Sequence, residues 1–152
     1  MAAADAAAWQ PSAEGLGQLL QLLTSSQSAD NQTHRAIQQQ LTSFNAIADF
    51  NNYLTYIFSV LHDQPGAVRQ MAGLVLKNNV RDHWDELHDS VQAYIKAGVL
   101  ACVGAPAPFL RQTAGTCVTT IAYAAGLAAW PELVPTLLRM IDGANSKNLS
   151  AN

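Results

Sequence analysis

The sequence predicts an all-α fold, a superhelix of stacked helical hairpins holding about three and a half of them. Three observations predict it. Val68-Arg69-Gln70-Met71-Ala72-Gly73-Leu74-Val75-Leu76 is echoed by Leu110-Arg111-Gln112-Thr113-Ala114-Gly115-Thr116-Cys117-Val118, with Arg, Gln, Ala and Gly recurring 42 residues apart. Apolar positions in alternate helices recur as well: Phe50, Val91 and Leu133; Leu54, Ile95 and Leu137; Phe58, Val99 and Ile141, at steps of 41 and 42. No stretch alternates with the period of two that a half-buried strand requires. A period of about 40–47 residues built from helix pairs is that of HEAT or armadillo solenoids.

The elements follow in order. Ser12 is placed to cap a first helix carrying Leu16, Leu19, Leu20 and Leu23 on one face. Asp30 caps a second, with Ile37, Leu41 and Phe44 inward. Asp49 opens a third with the strongest apolar stripe, Phe50, Tyr53, Leu54, Ile57, Phe58 and Leu61. After the turn His62–Gly66, a fourth runs to about Arg81; Pro65, and later Pro106 and Pro108, suit the approach to a first turn because their φ is fixed. The fifth spans roughly Asp85 to Val103 with Val91, Tyr94, Ile95 and Val99 inward. The sixth spans Pro108 to Ala125 and is ended by Gly126. The seventh enters at Trp130-Pro131-Glu132, carries Leu133, Val134, Leu137, Leu138 and Ile141, and is expected to stop near Asp142-Gly143. Arg35 stands 34 residues before Arg69, so the first hairpin reads as a shortened member of the series. A lone pair of helices leaves apolar faces in water. Each buried Leu, Ile or Phe contributes about 1.5–3 kcal/mol against about 1–2 kcal/mol of ordering per residue, so neighbours must supply the remaining burial.

This divides the chain into an Ala-rich flexible tail over residues 1–11, the repeats over 12–142 and a polar tail over 143–152. The seventh helix is the first of a pair without its second. The chain therefore reads as the N-terminal portion of a longer array, or a truncated relative of one, and self-association through the uncapped end is expected.

Composition sets bounds. Of 152 residues 49% are hydrophobic and 12% charged, with a net charge of −3, so a sizeable core is possible and nothing favours a nucleic-acid partner. No apolar run is long enough for a membrane span, and residues 1–8 lack the basic and apolar regions of a signal peptide. Asn31-Gln32-Thr33 and Asn148-Leu149-Ser150 match the glycosylation pattern by chance in that setting. Cys102 and Cys117 lie in apolar helical patterns and read as small core residues in a reducing compartment. His83 and His88 are five apart, which misses the one-face spacing of paired metal ligands, while His34 and His62 stand alone. No nucleophile–base order, phosphate loop or dinucleotide glycine pattern is present, so neither catalysis nor a cofactor is expected. Arg69 and Arg111 hold the regular Arg position of the repeat and read as an inter-repeat hydrogen-bond ladder to acids or carbonyls such as Asp63.

Trp9 and the Gly15-Leu16 to Leu23 helix, Ser26-Gln27-Ser28, and Arg35 with Gln38-Gln39 and Leu41 resemble the start of the transportins. So do Asp49-Phe50-Asn51-Asn52-Tyr53-Leu54, Gly73-Leu74-Val75-Leu76-Lys77-Asn78-Asn79-Val80 and Trp130-Pro131-Glu132-Leu133-Val134-Pro135. Transportins are a branch of the karyopherin-β (importin-β) family of nuclear import receptors, and the resemblance runs from Trp9 to Asp142. It implies a protein shuttling between cytoplasm and nucleus whose second helices, on the concave face, bind the small GTPase Ran in its GTP form. Lys77 is then the leading contact; Asn78 is either a contact or a ladder between repeats, and Gln38, Thr119 and Thr120 are further polar contacts. The repeats that would hold cargo, the acidic loop that couples Ran to its release, and the repeats that best engage nucleoporins are not in this sequence. The alternative is a helical-repeat scaffold of the same fold without Ran binding.

Overall fold

The computed structural model describes residues 8–28 and 30–149. Seven α-helices are found among them, with no strand: α1 Ala13–Ser25, α2 Asn31–Ser43, α3 Phe50–Ser59, α4 Gly66–His83, α5 Asp89–Cys102, α6 Pro108–Ala125 and α7 Leu133–Leu149. α3 folds on α4 and α5 on α6 as hairpins; α3 then packs on α5, and α4 on α6, giving two rows of helices, with α1 resting against α4. The 42-residue step is written into burial. Val68 and Leu110, Ala72 and Ala114, Val75 and Cys117, and Leu76 and Val118 are buried pairwise, one member on each helix of the second row.

Local chemistry sets the ends. Ser12 Oγ accepts from the Gly15 amide at 3.0 Å and Asp30 Oδ1 from the Thr33 amide at 2.8 Å, so both expected caps form. Gly126, at φ +80°, ends α6 where a side chain would be strained. Three boundaries depart from the sequence reading. Asp49 does not cap α3, because its Oδ2 instead accepts the Trp9 indole N–H at 3.1 Å. The fifth helix begins at Asp89 rather than near Asp85: Trp84–Glu86 is a 3₁₀ turn, Leu87 is extended, and His88 Nδ1 takes the Ser90 amide as the cap. α7 continues past Asp142–Gly143 to Leu149, with Ser146 Oγ bonded back to the Asp142 carbonyl at 2.9 Å and Lys147 in the last turn, where a cation is favoured. Most of the polar tail expected over residues 143–152 is therefore helix, and residues 150–152 lie outside the described residues. Of the tail expected over residues 1–11, residues 1–7 lie outside them too, while Trp9 is anchored.

Ile37 and Leu41 are the buried residues of α2. One more expectation changes: the repeat arginines do not bridge repeats. Arg69 Nη2 donates to the Phe58 carbonyl at 2.9 Å and Arg111 Nη1 to those of Ala105 and Pro106 at 2.9 and 2.7 Å, each within its own hairpin. One polar link between hairpins comes from Lys96 of α5. Its Nζ lies 5.7 Å from the Trp84 ring and 5.9 Å from the Trp130 ring, and donates to the Ala129 carbonyl at 2.9 Å.

Candidate functional site

The second-helix row keeps one stripe in solvent. On α4 eight of the eighteen residues are buried, and among the open or half-open ones Lys77, Asn78 and Arg81 stand three, four and seven residues along from Leu74, on one helix face. On α6 the same positions, 42 residues later, are Thr116, Thr119, Thr120 and Tyr123. Because α4 and α6 lie side by side in the same register, the two stripes form one surface. Four of the five residues singled out from sequence, Lys77, Asn78, Thr119 and Thr120, stand on it as two repeat-equivalent pairs. The fifth, Gln38, does not join that line. It is exposed on α2 in a shallow depression of about 380 Å³ with Arg35, Gln39 and Thr42.

The pairs differ in what they offer. Lys77 is half-buried and makes no hydrogen bond or ion pair among the described residues, so three N–H donors are available on a stem lying along the helix. Its charge falls near α6, where it opposes the effect of burial on Cys117. Asn78 is half-buried and likewise unengaged among the described residues; the buried amide contact is made by its neighbour, Asn79 Nδ2 donating to Asn51 Oδ1 at 2.9 Å between α4 and α3. Thr119 and Thr120 donate to the Gly115 and Thr116 carbonyls at 2.9 and 2.8 Å, which spends their protons and leaves their oxygens to accept. The surface thus presents donors from α4 beside acceptors from α6.

Beyond Thr119 the stripe opens into a groove of about 690 Å³ between the end of α4 and α6, bordered by Arg81, Glu86, Thr119, Thr120 and Tyr123. Arg81 grips Asp82 through Nε–Oδ1 at 2.8 Å and Nη2–Oδ2 at 3.1 Å; this holds the Asp82 carboxyl below the usual carboxylate range. Tyr123 is 94% exposed, an aromatic side chain with almost no intramolecular burial. Arg81 and Tyr123 are not among the residues the sequence singled out; the 42-residue step that relates Lys77 to Thr119 and Asn78 to Thr120 relates this pair too.

The remaining candidates have other employment. Cys117 donates to the Gly73 carbonyl at 3.5 Å, and burial pushes its thiol up to about 12; burial pushes the Cys102 thiol up too. His83 Nδ1 contacts Glu86 Oε2 at 3.2 Å, and His88 is engaged with Ser90. Among the described residues no three His, Cys, Asp or Glu side chains are gathered as a metal site would need.

Comparison with known proteins agrees with the geometry. Residues 37–105 match the family described as Importin-beta N-terminal domain. The chain is 40% identical over 134 residues to human Transportin-1, covering 88% of this chain and 15% of that protein. It is 37% identical over 141 residues to Transportin of Dictyostelium discoideum (93% and 15%), and 33% identical over 140 residues to Importin subunit beta-2 of Schizosaccharomyces pombe (91% and 15%). The chain therefore spans about 15% of the length of these relatives. With two rows of helices repeating every 42 residues and this family match, the chain is a transportin-type N-terminal HEAT-repeat region of the importin-β family.

Proposed function

We propose that this chain serves nuclear import of protein cargo by binding the small GTPase Ran in its GTP form along the exposed stripe of its second-helix row. The observation that carries this reading is the pairing of unengaged donors at Lys77 and Asn78 with acceptors at Thr119 and Thr120 on one continuous surface. The relatives' names, transportin and importin, give the biological setting. Binding rather than catalysis fits the side chains: both thiols are buried and protonated, and His83 and His88 serve local contacts. The protein then works in cytoplasm and nucleus; cargo and nucleoporins engage repeats beyond these.

The test is retention of the chain on immobilised Ran loaded with a non-hydrolysable GTP analogue or with GDP. The GTP-form matrix should retain it and the GDP-form should not, and Lys77→Glu, checked for unchanged helicity, should weaken retention by about tenfold. Retention indifferent to the nucleotide would favour a general helical-repeat scaffold instead.

A further inference from the structure

The segment ahead of α1 carries a feature that neither the repeat pattern nor partner binding accounts for. The Trp9 indole meets Tyr53 at 4.9 Å between ring centroids and 84° between planes, Tyr94 at 5.3 Å and 63°, and Tyr56 at 6.1 Å and 69°. All three contacts are edge-on, the arrangement the ring quadrupoles favour. Its N–H is taken by Asp49 Oδ2 at 3.1 Å. Three residues later the Ser12 amide donates to Tyr53 Oη at 3.0 Å, and that hydroxyl donates to Ser12 Oγ at 3.1 Å. Asp49, Tyr53 and Tyr56 belong to the start and body of α3, whereas Tyr94 belongs to α5. One indole near the beginning of the described chain therefore touches the first helices of two successive hairpins, while α1, which it precedes, lies against α4 of the other row. Burial raises the Tyr94 hydroxyl above its ordinary value, in keeping with a ring enclosed by this cluster.

We propose that Trp9 to Ser12 is an aromatic clasp that fixes α5 against α3, so that the angle between these two hairpins is set by a segment lying outside the repeats. Closed, the clasp makes the first-helix row rigid at this joint. Opened, it leaves α3 and α5 joined by their direct packing, and the joint loosens while each hairpin stays folded.

Hydrogen exchange on the full chain tests this with Trp9→Ala, Tyr94→Ala and the double variant. Trp9→Ala should speed exchange of the α5 amides about three- to tenfold, Tyr94→Ala should do the same for α5, and the pair together should add little to either alone. Acceleration confined to α1 and α3 in Trp9→Ala would overturn the clasp and leave Trp9 a local anchor. Should Trp9→Ala loosen the whole chain evenly, chemical denaturation of the three variants decides: non-additive losses for Trp9 and Tyr94 support the clasp, and additive losses overturn it.

Discussion

Arg69 and Arg111 occupy one repeat position in two environments. Arg69 is 7% exposed, and its Nη2 is the partner of the Phe58 carbonyl at the end of α3. Arg111 holds the carbonyls of Ala105 and Pro106 from an exposed position, where water can replace it. Arg69→Ala should therefore cost about 1–3 kcal/mol of unfolding free energy in urea, since a buried carbonyl loses its donor, and Arg111→Ala less than about 1 kcal/mol. Equal costs would contradict this division. Asp30 gives a second test. The Thr33 amide bonded to it holds its carboxyl below the ordinary 3.8. A lowered folded value means the group stabilises fully above its unfolded value, and that contribution fades as pH falls through the folded one. Asp30→Asn keeps a cap that does not titrate, so melting curves between about pH 5 and about pH 2.5 should fall less steeply for the variant than for the parent. At this scale the caps at Ser12 and Asp30 were legible because they depend on residues three positions away. The partners of Arg69, Arg111 and Lys96 were not, because a bond to a distant carbonyl is fixed only when the hairpins are in place.

At the scale of the helices, two repeat-equivalent glycines make opposite predictions. A Cβ on Gly73 would stand 2.7 Å from Thr113 Cγ2 and 2.9 Å from Phe58 Cδ2, where α4 meets α6 and α3. Around Gly115 nothing lies within 4 Å of such a Cβ. Gly73→Ala should thus destabilise by about 1–3 kcal/mol through overpacking. Gly115→Ala should stabilise by about 0.5–1 kcal/mol, because alanine gives up less backbone freedom on entering a helix. Thermal or urea unfolding reads both, and a shared sign would refute the argument. The existence of all seven helices was legible from apolar spacing, and so was the 42-residue step between α4 and α6. Their ends were less so. The fifth helix was expected from about Asp85, yet Asp85 and Glu86 belong with the buried Trp84 to a 3₁₀ turn that delays α5 to Asp89. α7 outlasts its apolar stripe because weak helix formers such as Asn145 and Ser146 still continue a backbone ladder already nucleated. The stripe itself also diverges: Phe58 and Val99 are fully buried, while their counterpart Ile141 is 56% exposed.

For the whole molecule, both rows hold the stack together, α4 against α6 and α3 against α5, where Gly98 packs so closely on Thr55 that a Cβ there would come within 2.3 Å of its Cγ2. α4 and α6 keep one open stripe, and the proposed partner lies there. The sequence revealed that such a row exists, but which of its side chains are unengaged follows from tertiary placement: Asn79 turns inward to Asn51 while Asn78, beside it, stays at the surface. The resemblance to transportins, not periodicity, supplied the partner. The most direct check is an exchange footprint of the chain with and without Ran bound to a non-hydrolysable GTP analogue. Protection should concentrate in the later turns of α4, from Leu74 to Arg81, and of α6, from Thr116 to Tyr123, with α3 and α5 unchanged. Protection falling on α3 and α5, or none at saturating Ran, would contradict the account.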